Sequence, residues 1–226
     1  ETIIRANWKL VQEAFHEGYH VMATHPQLAM GAGEHFPTNQ VEYTAFENGH
    51  ARFWGRFDPA AGGVAQGRGP EAFLERARLL WEGQDAMTLE RDLHVFESVR
   101  TRVPPGEDYP TAAIEALIDY AKGAGIPLST NPESIQLWGG EVFMFPNFFF
   151  LPQFSNALSY RARPYGDDPE LCRFEVWSLT MPPKGRETGR ARLKGRFPPD
   201  DVDNWGLIPR QDFANMERQQ RGLRRS

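Results

Sequence analysis

The stretch "SIQLWGGEVFMFPNFFFLPQFSNALSYRARP", residues 134–164, decides the fold class of this chain. Aromatic residues, with apolar and polar side chains in alternation, are typical of β-strands that pack one face on a core. Two further stretches continue the pattern, "LCRFEVWSLTMPP" (171–183) and "GRARLKGRF" (189–197). Together the three stretches predict about five strands in an antiparallel meander.

A hairpin and a group of helices precede this region. "VEYTAFENGHARFWGRF" (41–57) contains two alternating runs joined by Asn48-Gly49, which predicts a hairpin with a two-residue turn. "DPAAGGVAQGRGP" (58–70) is a predicted loop. From there to Gly125, helical periodicity between Gly- and Pro-containing breaks predicts helices over 71–83, 88–102 and 111–122.

Helices are also predicted at both ends of the chain. Asn7 suits a helix N-cap, and apolar residues then recur at helical spacing, which predicts one buried stripe: Trp8, Val11, Phe15 and Tyr19. Residues from Pro209 onward form the predicted closing helix. The order of helix, hairpin, helices, meander and closing helix indicates an α+β domain, in which a curved antiparallel sheet wraps a long C-terminal helix.

Charge and cysteine content exclude several function classes. The formal net charge of -5 argues against a nucleic-acid partner. The single cysteine, Cys172, excludes a disulfide framework and fits a reducing compartment, so we expect a cytoplasmic location. No apolar run reaches the length of a bilayer span, so no membrane partner is expected.

Two histidines stand at an unusual spacing in "EGYHVMATHP" (17–26). An ideal helix turns His20 and His25 about 140° apart. A local π-type widening, or a helix that ends between them, would let both rings reach one ion. Pro26 supplies a reason for the helix to end at His25. Two imidazoles and one carboxylate on one side of an ion form the facial triad of non-haem iron(II) oxygenases. A solvated polar surface is the alternative interpretation.

Spacing alone does not identify the carboxylate. Glu17 precedes His20 by three positions, where it is better placed to hydrogen-bond the imidazole than to bind the ion. Glu13 is a second local acid. The distant candidates lie near or on the closing helix, and they are Asp201, Asp203, Asp212 and Glu217.

Two motifs at opposite ends of the chain resemble one family. "NWKLVQEAFHEGYHVMATHP" (7–26) closely resembles a segment of the large subunits of Rieske non-haem iron ring-hydroxylating oxygenases. "IPRQDFANMERQQRGLR" (208–224) is similar to the closing helix of their catalytic domain, and "FMFPNFFFLP" (143–152) looks like part of their sheet. The resemblance implies the helix-grip fold of that catalytic domain.

The resemblance also implies roles for particular residues. His20 and His25 match the two iron histidines of the family, and Asp212 matches the third ligand. Glu17 falls where the family has an acid, usually Asp, that bridges an iron histidine to the Rieske histidine of a neighbouring subunit and so passes electrons. One departure is Ala14, which stands where many members have Asn near the iron.

Cofactors and partners follow from the same resemblance. Fe(II) would activate O₂ and hydroxylate an aromatic or similarly apolar substrate, by mono- or dioxygenation, with electrons from NAD(P)H through a reductase or ferredoxin. A Rieske 2Fe–2S cluster needs two Cys and two His, so we expect residues 1–226 to be a single catalytic domain and the Rieske domain to lie outside this chain. The chain opens without Met, which fits a piece of a longer protein, and family members assemble as homotrimers or α3β3 complexes.

An apolar wall for the substrate is predicted on one strand. Residues that alternate on one strand face are the candidates: Phe143, Phe145, Asn147 and Phe149. Ordinary core packing is the alternative for each of them. For the protein as a whole, the alternatives are a metal-free module of the same grip fold that binds a hydrophobic ligand, and a metal-dependent hydrolase.

Overall fold

A computed structural model describes residues 1–30, 41–55, 69–84, 86–104, 108–128, 140–186 and 188–225. Its helices are α1 (Trp8–Glu13), α2 (Tyr19–Thr24), α3 (Pro26–Met30), α4 (Pro70–Gln84), α5 (Glu90–Val99), α6 (Tyr109–Gly123) and α7 (Leu207–Leu223). Its strands are β1 (Thr2–Ile4), β2 (Val41–Ala45), β3 (Ala51–Gly55), β4 (Glu141–Met144), β5 (Phe148–Pro152), β6 (Asn156–Tyr165) and β7 (Asp168–Thr180). None of the described helices is long and apolar enough to cross a membrane.

The described strands form one antiparallel sheet in the order β1-β7-β6-β5-β4-β3-β2. Strands β2 to β7 are neighbours in chain order, as in a meander, although α4, α5 and α6 lie in the connection between β3 and β4. The predicted α+β class, the antiparallel meander and the closing helix are confirmed. Of the stretches behind these predictions, residues 56–68 and 131–139 lie outside the described residues.

The predicted strand over 189–197 is wrong. These residues carry no strand, and β1 occupies the edge of β7 instead, with Ile4 opposite Cys172. Thr2 and Ile4 are fully buried, whereas most side chains of 189–197 are exposed. A segment with strand-like alternation but no buried face gains little stabilisation from joining the sheet. The segment instead runs beside the N-terminus, whose ammonium group donates to Gly195 O at 2.9 Å.

The first hairpin forms at the predicted place with a longer turn. Ala45 pairs with Ala51, the Phe46 N–H donates to His50 O at 2.9 Å, and the Gly49 N–H donates to Phe46 O at 3.0 Å. The turn therefore contains three residues, not two. Gly49 has φ of 81°, in the left-handed region that a three-residue hairpin loop requires at its last position.

The N-terminal helical region is two helices, not one. The Asn7 side chain accepts from the Lys9 N–H and caps α1 as predicted, but α1 ends at Glu13 and α2 starts at Tyr19. Tyr19 is 62% exposed, so its predicted place in the buried stripe is wrong. The reason is the break itself, because the turn between the helices resets the direction in which Tyr19 faces. Val11 and Phe15 are buried as predicted.

The main core lies between the inner face of the sheet, α1 and α7. Phe15 is at its centre, with ring centroids 4.7 Å from Tyr160 and 5.3 Å from Phe174. Phe213 of α7 packs edge-on against Phe174 at 5.6 Å. A second core joins α4, α5 and α6, which form at the predicted places. Burial of these aromatic side chains is the main force that holds α7 against the sheet.

A close approach of α4 and α7 sets the position of the closing helix. Gly83 ends α4 beside Gly206, the N-cap residue of α7. A Cβ atom on Gly206 would lie 2.0 Å from Gly83 O, and a Cβ atom on Gly83 would lie 2.8 Å from Ile208 Cδ1. Only glycine lets the two backbones meet at this distance.

Substitution at this contact should destabilise the fold. Gly206→Ala is expected to lower the free energy of unfolding by about 3 kcal/mol, since the added methyl group meets backbone that cannot move aside. The measurement is urea-induced unfolding. Gly222→Ala is the control within α7, where no described atom lies within 4 Å of the new Cβ. That variant should gain up to about 0.5–1 kcal/mol from helix propensity. Equal stabilities of the two variants would contradict the close contact.

Candidate metal centre

Three side chains from opposite ends of the chain converge at the junction of α2 and α7. His20 lies in α2, His25 is the residue that caps the end of α2, and Asp212 lies in α7. Each offers one nitrogen or oxygen atom, and these atoms lie within 4.8 Å of one another. His25 is 2% exposed and Asp212 is 5% exposed. The structure thus brings together the three residues that the resemblance implied as ligands.

The unusual spacing of the histidines has a simple structural cause. Helix α2 ends at Thr24, and His25 leaves the helical conformation with φ of -121° and ψ of 64°. This change of direction turns the His25 ring towards the His20 ring, and their centroids are 5.6 Å apart. Of the two explanations that the sequence allowed, the helix end between the histidines is confirmed.

The distances within the triad suit ligands of one ion. His25 Nε2 lies 2.9 Å from Asp212 Oδ1, and His20 Nε2 lies 3.7 Å from the same oxygen. Two ligand atoms at right angles, each about 2.1 Å from an ion, would lie about 3 Å apart. Two imidazoles and one carboxylate grouped on one side match the donor set of non-haem iron(II) sites, so these residues fit such an ion.

Glu17 holds His20 from the side away from Asp212. Its Oε1 lies 2.7 Å from His20 Nδ1, and its Oε2 accepts from the His20 backbone N–H at 2.9 Å. Burial acts to raise the pKa of the Glu17 carboxyl, but the hydrogen bonds and charge of His20 hold it below its ordinary value. The side chain is 26% exposed, so this carboxylate reaches the surface of the described structure.

His25 has a comparable partner in Gln211. His25 Nδ1 lies 2.9 Å from Gln211 Oε1, and that oxygen also accepts from Gln27 Nε2 at 2.8 Å. A neutral imidazole with its Nδ1–H donated to an acceptor presents the Nε2 lone pair to a metal. Burial acts to lower the pKa of His25, but Asp212 and Gln211 raise it above its ordinary value. Sequence analysis missed Gln211, although it directly precedes Asp212.

The four residues predicted to form an apolar wall divide into two buried and two turn residues. Phe143 and Phe149 are buried, with ring centroids 5.0 Å apart. Phe145 and Asn147 lie in the turn between β4 and β5, so they do not continue the strand. Phe145 is 62% exposed, and the Asn147 side chain donates to Ala162 O at 2.9 Å. The prediction for these two residues is wrong because the chain reverses at Pro146, where strand alternation ends.

A cavity of about 190 Å³ lies between this wall and the hairpin of β2 and β3. Phe143, Phe15 and Phe53 are among its aromatic lining residues, and His16 and Glu141 also line it. The triad residues are not among the lining residues, but the ring of Phe15, which lines the cavity, lies 6.5 Å from the His20 ring. Phe15 thus separates a mainly apolar space from the triad.

Sequence analysis missed His16 and Glu141 as lining residues. Glu141 precedes Phe143 by two positions in the same strand, so strand alternation placed it on the inner face. In one continuous helix, His16 would lie beside the predicted buried stripe that contains Val11 and Phe15. The break after α1 turns its ring inward instead, 4.2 Å from the Phe143 ring.

Comparison with known proteins agrees with the fold and the triad. No curated protein matches the chain. The sequence profile of the family described as "Ring hydroxylating alpha subunit (catalytic domain)" matches residues 2–226, nearly the whole chain. With an α+β grip around α7 and a buried triad of two histidines and one carboxylate, the chain belongs to the catalytic-domain family of the alpha subunits of ring-hydroxylating oxygenases.

Proposed function

We propose that this chain is a mononuclear non-haem iron oxygenase domain that hydroxylates an aromatic or similarly apolar substrate. The convergence of His20, His25 and Asp212 beside an apolar cavity is the observation that carries the proposal. When bound, Fe(II) supplies the redox chemistry that O₂ activation requires. His20, His25 and Asp212 are the side chains that would hold the ion.

The protein's own residues prepare this site in two ways. Gln211 and Glu17 orient the two imidazoles, so that the same edge of each ring faces the ion. The aromatic residues Phe15, Phe53 and Phe143 line the cavity and would hold an apolar ring away from water. The site therefore combines an oriented anionic ligand set with an apolar substrate space.

Electron supply belongs to the same proposal. Electrons would come from NAD(P)H through a reductase or ferredoxin and then from a Rieske 2Fe–2S cluster outside residues 1–226. Glu17 is the proposed bridge, because its carboxylate contacts His20 and also reaches the surface. A homotrimer or an α3β3 complex would bring a neighbouring subunit's cluster to this acid.

The alternatives are less well supported. A metal-free binding module would have to bury Asp212 against a protonated His25, and desolvating such a pair is costly. A zinc hydrolase would use the same donor types, and it is separated from the oxygenase by the metal that restores activity.

The ligand assignment predicts the iron content of variants. His20→Ala, His25→Ala and Asp212→Ala should each lose most of the bound iron, because each removes one of three protein ligands. The measurement is iron per protomer after reconstitution with ferrous iron under anaerobic conditions. His94→Ala is the control, since His94 is exposed on α5. Full iron content in all three ligand variants would contradict the site.

Glu17→Gln separates electron delivery from metal binding. The amide still accepts a hydrogen bond from His20 but carries no charge, so the variant should keep most of its iron and lose most of its turnover. Iron and product are measured on the same preparation, with the electron-donating partners present. Normal turnover would rule out the electron-bridge role. Parallel loss of iron and turnover would instead make Glu17 a ligand.

Gln211→Leu tests the orientation of His25. Without the acceptor at Nδ1, iron affinity should fall about 10–100-fold, as is usual when such a partner of a metal-bound histidine is removed. Competition with a chromophoric chelator gives the affinity. Gln219→Leu, at an exposed position of the same helix, serves as the matched control and should bind iron like the unmodified protein. Identical affinities for the two variants would remove Gln211 from the site.

A further inference from the structure

Glu141, the first residue of β4, is a buried acid that the metal triad does not use. Glu141 is only 5% exposed. Its Oε1 atom has no hydrogen-bond partner within the part of the chain that the structure describes. Buried polar groups nearly always have a partner, and a bound ligand is one way to supply it. Since Glu141 lines the cavity beside the triad, a molecule in that cavity could provide the missing hydrogen bond.

A second polar atom lies in the same wall. His16 Nε2 is buried and likewise has no partner among the described residues. The His16 ring packs between Phe143 and Phe149, at centroid distances of 4.2 Å and 4.9 Å. The rest of the wall is mainly aromatic or aliphatic. A mainly apolar cavity whose lining residues include two side chains with unpaired polar atoms is typical of a site that orients a ligand by one functional group.

Size and charge limit what that ligand is. A cavity of about 150 Å³ accommodates benzene, so a cavity of about 190 Å³ has room for one ring with a small substituent. Burial raises the pKa of Glu141 well above its ordinary value, and the charges of Asp212 and Glu17 add to this effect. Asp212 and Glu17 would repel an anionic substituent, although Arg52 is also among the lining residues. A hydroxyl group both donates and accepts, so it pairs with either form of the carboxyl.

We propose that Glu141 is the polar anchor of the substrate pocket, and that the substrate is a single-ring apolar molecule whose hydroxyl group hydrogen-bonds the Glu141 carboxyl next to His16. The assignment of this cavity to the substrate rests on the proposed oxygenase function. The geometry makes Glu141 a residue that decides specificity, because it distinguishes a hydroxylated ring from the same ring with a methyl or carboxylate group.

The test is a comparison of three probes of similar size, phenol, toluene and benzoate. Their dissociation constants are measured by ligand-observed NMR titration of the metal-free protein, so the result depends on neither iron nor turnover. The unmodified protein should bind phenol at least about fivefold more tightly than toluene, the contribution of one hydrogen bond in a buried site. Benzoate should bind more weakly than either.

Variants assign the preference to Glu141. Glu141→Leu should lose the preference for phenol, whereas Glu141→Gln should keep it, because the amide also donates and accepts. Ser159→Ala is the matched control, since Ser159 Oγ is another buried atom without a partner among the described residues but does not line the cavity. That control should keep the preference. If Glu141→Leu does not fold, as judged by circular dichroism, Glu141→Met takes its place.

Three results would overturn the inference: equal binding of phenol and toluene by the unmodified protein, a phenol preference that survives Glu141→Leu, or tightest binding of benzoate. Iron content, measured separately, distinguishes this failure from failure of the proposed function. A protein that binds no iron but prefers phenol through Glu141 would refute the oxygenase proposal and support the pocket assignment. A protein that binds iron but does not prefer phenol would support the oxygenase proposal and refute the pocket assignment.

Discussion

The buried contact between Asp212 and His25 is the constraint on which the rest of the structure depends. A carboxylate that is 5% exposed needs a cation or strong hydrogen-bond donors nearby, because its charge is poorly solvated in the interior. The structure supplies His25 Nε2 at 2.9 Å. This requirement ties helix α7 to the end of α2. The two elements are distant in the chain, since Gln211, the residue before Asp212, is 186 positions from His25. Each feature of the site follows from holding these two elements together.

The core and the α4–α7 contact supply the rigidity that this junction needs. Phe213 follows Asp212 directly in α7 and packs against Phe174 of the sheet, so the helix cannot rotate without disturbing the core. At the start of the same helix, Gly206 meets the backbone of Gly83 and fixes how far α7 can approach α4. A ligand set assembled from distant parts of a chain needs this kind of rigid support, because small displacements of ligands weaken metal binding.

The acids around the site divide into separate tasks. Asp212 contacts His25. Glu17 contacts His20 and reaches the surface, and Glu141 lines the cavity. The negative charges of Asp212 and Glu17 favour a divalent cation. Under the proposed function, these carboxyl groups would serve metal binding, electron delivery and substrate selection in three different environments. Burial and hydrogen bonding distinguish them, not residue type.

The sequence by itself determined the α+β class, the places of the hairpin and helices, and, through the two family motifs, the residues that converge. Periodicity and turn residues act locally, so they can be recognised without a structure. Only the tertiary structure decided which strand occupies the edge of β7, how the helix break turns His16 inward and Tyr19 outward, and where Pro146 ends the strand. It alone placed Glu141 at the cavity with no hydrogen-bond partner for its Oε1 among the described residues. These outcomes depend on competition between distant segments for the same buried surface, and local patterns do not contain the result of that competition.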